Sequence, residues 1–221
     1  MNKVQIRVPG KLYIAGEYAV VEPGYSAIIT AVDLFVTVNI SQSVSEYGSI
    51  YSEGFTKEPV KWTRINEQVE LEDADDSLKY VLSAIHTTEE YLAENFVPLV
   101  EFDLQIRSAL EDDTGRKLGL GSSGAVTVAT VQAILEFYGV DISNLLIYKL
   151  SVLSQLKLGI NSSFGDLAAA TYTGWIQYTS FDRHFVNHYR REHTITETVE
   201  AYWPKLQIIK LKVRNKLRFL V

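Results

Sequence analysis

The 221-residue sequence predicts an α+β fold, a sheet covered by helices on one face. Two observations carry the prediction. Strand-like alternation dominates up to residue 65, and three helix-like segments follow one another between residues 123 and 171. No repeat, heptad or low-complexity tract interrupts that order.

The elements follow in chain order. "KVQIRVPGKLYIAG" alternates like a strand and breaks at Pro9-Gly10. "SAIITAVDLFVTVNISQS" is rich in β-branched residues and reads as one or two strands. "GSIYSEG" and "PVKWTRI" read as short strands beside polar loops. Leu78, Val81, Leu82, Ile85, Tyr91 and Leu92 then fall at helical spacing, with Asp76 or Ser77 as the cap. "LVEFDLQIRSAL" returns to alternation. Helices are expected at about 123–138, 143–158 and 163–171, and a strand at "GWIQYTS". "FDRHFVNHYRREHT" is polar and resists assignment, although His184 and His188 suit a polar surface or linker helix better than a metal site. "LQIIKLKV" and "LRFLV" read as strands around a turn at Arg214-Asn215.

Composition narrows the function. With no cysteine, a disulfide scaffold, a Cys-ligated zinc and a cysteine nucleophile are excluded. The net charge of −6 argues against a nucleic-acid partner. Asp33 interrupts the longest apolar run, so that run is not a membrane span. Neither a signal core nor cysteine usage points away from the cytoplasm, which is the expected compartment.

The chemistry concentrates in "GRKLGLGSSGAVTVATVQAIL". Gly119, Gly121 and Gly124 spell G-x-G-x-x-G, but a dinucleotide site needs a preceding strand and a later strand-end acid. A polar loop precedes Gly119, and Asp141 sits between helices. The protein-kinase glycine loop joins two strands, whereas "AVTVATVQAILEFYG" has the length and glycine stop of a helix. A glycine loop entering a helix whose first turn carries Ser122 and Ser123 suits an anion, because amides and dipole both point there. On this stretch alone, a Ser-capped buried helix with packing glycines stays open.

Two further segments narrow the choice. One is "PGKLYIAGEYAVVEPGYSAI", with Lys11 and Gly16-Glu17-Tyr18; the other is "GINSSFGDLAAATYTGWIQY", with Gly165-Asp166. In this order, with Gly119-Leu120-Gly121-Ser122-Ser123 between them, the three segments resemble the GHMP kinases, a family of sugar, homoserine and mevalonate kinases. They look most like its phosphomevalonate-phosphorylating branch, over essentially the whole chain.

The resemblance implies a GHMP kinase fold, ATP and Mg²⁺ as cofactors, and ATP and phosphomevalonate as substrates. It implies ATP contacts at Lys117, Gly119, Leu120, Gly121, Ser122, Ser123, Gly124 and Ala125, with Ser123 near Mg²⁺. Lys11 and Asp166 would be catalytic, Lys11 holding Asp166 ionised. Lys11, Glu17, Tyr18, Ser162 and Ser163 would contact the acceptor. Gly124 is the least informative glycine, since many relatives have a small residue such as Ala there. Gln155 stands where some members have a Mg²⁺-binding Glu. The implied organisation is an N-terminal kinase domain at 1–178, largely complete, then a linker and the first strands of a mostly missing C-terminal domain at 179–221. Mevalonate kinase activity, and nucleotide binding or interaction without turnover, remain alternatives. A chain ending at Val221 is expected to turn over poorly.

Overall fold

The computed structural model describes residues 3–73, 76–111 and 118–213. The predicted turn at Arg214-Asn215 and the strand "LRFLV" lie outside them.

An eight-stranded mixed sheet forms the frame. Its strands are β1 (Lys3–Ala15), β2 (Ser26–Gln42), β3 (Gly48–Ser52), β4 (Val60–Ile65), β5 (Gln68–Leu71), β6 (Phe102–Ser108), β7 (Trp175–Thr179) and β8 (Gln207–Lys210). The hydrogen-bonded order is β5-β4-β3-β6-β2-β7-β8, with β1 along the other edge of β2. Only β3 and β6 pair in parallel among the described strands. β2 is one long strand that pairs with β7 through its first half and with β6 through its second. β5 was not anticipated. Asn66 and Glu67, both at positive φ, make the two-residue turn between Ile65 and Gln68. Without an Asn-Gly or Asp-Gly pair, that hairpin has no signature in the sequence.

Six helices lie among the described residues: α1 (Lys79–Glu94), α2 (Ser122–Phe137), α3 (Asn144–Lys157), α4 (Gly165–Tyr172), α5 (Arg183–Glu192) and α6 (Ile195–Glu200). A single 3-10 turn, Asp76–Leu78, leads into α1, so Leu78 holds the N-cap position expected of Asp76 or Ser77. The polar segment after residue 180 is helical. Asp182 caps α5 by accepting from the amides of His184 and Phe185, and Thr194 with Glu197 forms a capping box on α6.

Alternation explains which sheet face is covered. Val36, Val38 and Ile40 of β2 are buried beside Phe102, Leu104 and Ile106 of β6, while Gln105 and Arg107 face outward. α2 packs on β1 and β2, α4 packs on β1, β2 and β7, and α1 and α3 pack against α2. α2 is buried along most of its length, which accounts for its near-continuous apolar sequence.

Residues 179–210 pack on the same body. β8 pairs antiparallel with β7, and the Glu94 carboxylate accepts from the amides of Ile195 and Thr196. Phe181 and Trp203 pack in the core as a tilted pair with ring centroids 4.7 Å apart.

Candidate active site

The glycine loop is positioned by β1. The β1–β2 register shifts between Pro9, which faces Phe35, and Lys11, which faces Ala31. The Lys11 amide there donates to the Leu120 carbonyl at 2.8 Å. A Cβ on Gly10 would stand 2.8 Å from that same carbonyl, so the close approach of the loop requires glycine. The Pro9-Gly10 break therefore seats the loop rather than ending the strand.

Gly121, at φ +79°, is the N-cap of α2, and no side chain caps the helix. The first helical bond runs from the Ala125 amide to the Gly121 carbonyl, leaving the amides ahead of it without helical acceptors. Ser122 and Ser123 are thus first-turn residues and not caps. Their side chains line two adjoining clefts. One, of about 310 Å³, is bounded by Lys11, Tyr13, Gly119, Gly121, Ser122, Ser123, Ser162, Ser163 and Asp166. The other, of about 280 Å³, runs from the same two serines toward Phe55, Leu78, Ile106 and Val126.

Across the first cleft, Asp166 occupies the first turn of α4. Phe164, the N-cap of α4, is fully buried yet left-handed at φ +57°. Its ring lies against Phe181 with centroids 5.7 Å apart, and this packing holds a backbone state that costs a non-glycine residue energy. Burial pushes the Asp166 carboxyl above its ordinary value. The Leu167 amide, then Lys11, then its own amide oppose that without overcoming it. Lys11 thus favours the ionised form of Asp166, and desolvation opposes it more strongly. Lys11 donates to the Gly119 carbonyl at 3.2 Å and lies 5.1 Å from the centre of the Tyr13 ring.

Tyr13 escaped the sequence reading. Its hydroxyl is 3.0 Å from Ser163 Oγ, and burial pushes its pKa up to about 12. A Cβ on Gly165 would stand 2.4 Å from that hydroxyl, so Gly165 makes room for Tyr13. In a strand of alternating residues, a tyrosine with this role looks like any core aromatic.

Lys11, Gly119, Gly121, Ser122, Ser123, Ser162, Ser163 and Asp166 are brought together. Leu120 contributes its carbonyl to the loop seat, and Ala125 is buried within α2. Gly124 faces Asp166, whose Oδ2 would lie 2.5 Å from a Cβ there. Glu17 and Tyr18 lie outside the cleft, Tyr18 being 87% exposed. They follow Gly16, whose positive φ turns the chain so tightly that a Cβ would meet the Ser26 carbonyl at 2.5 Å. Lys117 lies outside the described residues. Gln155 is buried and donates to Thr127 Oγ1 at 3.3 Å, between α3 and α2. Among the described residues no three His, Asp or Glu form a metal cluster, His184 and His188 included.

A helix N-terminus with open amides, glycines at its mouth, a lysine and an enclosed carboxylate form a cleft suited to a phosphate-bearing ligand. Residues 79–174 match the family model described as the GHMP kinases N terminal domain. Those residues thus carry a GHMP kinase N-terminal domain.

Over 212 residues the chain is 39% identical to the phosphomevalonate kinase of Streptomyces sp. (strain CL190), covering 92% of this chain and 56% of that protein. The structure of the Lin0012 protein from Listeria innocua matches with a TM-score of 0.89 at 36% identity, over 97% of this chain and 59% of that one. Streptococcus pneumoniae phosphomevalonate kinase, in complex with phosphomevalonate and AMPPNP, matches with a TM-score of 0.83 at 31% identity. That match covers 95% of this chain and 59% of the other. The chain thus spans a little over half the length of these relatives.

Proposed function

We propose that this chain forms the phosphate-binding and catalytic part of an ATP-dependent phosphomevalonate kinase, working in the cytoplasm on isoprenoid precursors. The observation that carries the reading is the single cleft shared by Lys11, Asp166 and the first turn of α2. Similarity to phosphomevalonate kinases supports the choice of acceptor.

The chemistry is a phosphate-to-phosphate transfer. A phosphate oxygen of the acceptor attacks the γ-phosphorus of ATP, the bond to the β–γ bridging oxygen breaks, and ADP leaves with that electron pair. The amides of Ser122, Ser123 and Gly124 face the nucleotide phosphates, and Lys11 neutralises charge on the group in transit. The acceptor oxygen is already ionised near neutral pH, so little proton abstraction is required. Asp166 then serves chiefly to orient Lys11 and the acceptor. The Ser123 hydroxyl and the Asp166 carboxylate are oxygen donors lining one cleft, a set that suits Mg²⁺ completed by water and phosphate oxygens. When bound, Mg²⁺ supplies charge neutralisation on the phosphates.

A coupled assay of ADP release with phosphomevalonate and with mevalonate tests the reading. Product with phosphomevalonate supports it, and product only with mevalonate makes the chain a mevalonate kinase. Binding of an ATP analogue with no product from either acceptor supports a nucleotide-binding unit without turnover.

A further inference from the structure

Arg183 opens α5, outside every segment that carries the family resemblance, and its contacts are unusual for a half-buried cation. Its Nη1 donates to Asn161 Oδ1 at 2.6 Å and to the Ser162 carbonyl at 3.2 Å. Its Nη2 donates to the Val21 carbonyl at 2.8 Å. All three acceptors are neutral. Among the described residues no carboxylate pairs with it, and the adjacent Asp182 is committed to capping α5. A half-buried charge without a counter-ion keeps a capacity for charge-assisted bonds that a ligand's anion would fill.

The position fits a ligand. Ser162, to which the guanidinium bonds, lines the cleft with Lys11 and Asp166. Lys11 is the sole cation lining that cleft among the described residues. One lysine is little for two phosphate-bearing substrates meeting at one point, each phosphate monoester carrying about −1.5 to −2 at neutral pH. Three of the guanidinium's five N–H donors suffice for the bonds described, which leaves donors for a phosphate.

We propose that Arg183 binds the phosphate that the acceptor already carries, and thereby sets the preference for a phosphorylated acceptor over its unphosphorylated counterpart. The inference rests on the reading of phosphomevalonate as acceptor. Through the same guanidinium, Arg183 ties the loop after β1 to the loop before α4, so acceptor binding closes against two segments held in register.

Calorimetric titration of phosphomevalonate and of mevalonate into the full chain and its Arg183→Gln and Arg183→Lys variants tests this. Arg183→Gln is expected to weaken phosphomevalonate binding roughly tenfold or more and mevalonate binding less than about threefold. Arg183→Lys keeps the charge but loses the fork, and is expected to fall between. It decides the matter if the Gln variant fails to fold. Equal losses for both acceptors, or no loss, overturn the role of Arg183 and leave the acceptor reading standing. A wild-type chain that binds mevalonate but not phosphomevalonate, or neither, overturns the acceptor reading and this inference with it.

Discussion

A Cβ placed on Gly124 would stand 2.5 Å from Asp166 Oδ2 and 3.0 Å from its Cγ. The glycine with the weakest claim in the sequence is therefore the one that seats the carboxylate. The first turn of α2 is pared down to admit Asp166.

Gly124→Ala separates two effects of opposite sign. Helix propensity alone favours alanine by about 1 kcal/mol. The clash with Asp166 costs about 1–3 kcal/mol as overpacking. Urea denaturation is expected to show net destabilisation, with slower phosphoryl transfer. In an Asp166→Ala background the same change should turn neutral or stabilising, and the double-mutant cycle reads the difference as coupling.

Asp166 is held at a cost to the fold. Its folded-state pKa is raised above the unfolded value, chiefly by burial. Its contribution to stability is thus fully present below the unfolded pKa and is lost as pH rises through the folded one. Asp166→Asn is expected to raise Tm at pH 7, with a margin that narrows as pH falls into the carboxylate range, while transfer activity is lost. Thermal melts across pH check the first point. A margin that is constant with pH would contradict it.

Lys149 gives a second pH signature, of the same cause and opposite sign. Its Nζ donates to the Val199 and Ala201 carbonyls, each at 2.7 Å, and burial pushes its pKa down to about 8. A neutral amine has two N–H groups, which match those two carbonyls. Because the folded pKa is depressed, stability should rise with pH between about 8 and the ordinary lysine value of 10.5. Lys149→Met should cost about 1–3 kcal/mol, through carbonyls left unpaired. It should also flatten that rise in urea melts.

Far from the cleft, Arg64 clasps Glu89 through two bonds of 2.8 Å and adds a third to the Val100 carbonyl at 2.9 Å. Burial raises the Glu89 carboxyl in spite of this partner. Arg64→Met strands a buried acid and is expected to cost about 3–5 kcal/mol. Arg64→Met with Glu89→Leu should recover much of that in chemical denaturation.

The residues legible in the sequence are those whose chemistry is local. Gly121 must be glycine at its left-handed cap, and Lys11, Ser122, Ser123 and Asp166 stand in short polar segments that contrast with the apolar strands and helices around them. What was hidden depends on contacts across the fold. Tyr13 gains its role only when Ser163 arrives, and Gly124 only when Asp166 does. Tyr18, beside a matching motif, follows the Gly16 turn and lies in solvent outside the cleft. The strand and helix order followed from periodicity. The hairpin at Asn66-Glu67 did not, because Glu67 takes a positive φ that its residue type does not signal.

The bond from the Lys11 amide to the Leu120 carbonyl joins segments more than a hundred residues apart. The proposed nucleotide cradle is thus a product of the first strand as much as of its own glycines, and it exists only once the two ends of that span have met. Such long-range closures come at the expense of folding speed. In a refolding experiment, recovery of affinity for an ATP analogue would therefore clock the docking of the N-terminal strand, whereas helical circular dichroism, fed by local contacts in α1 to α3, would return sooner.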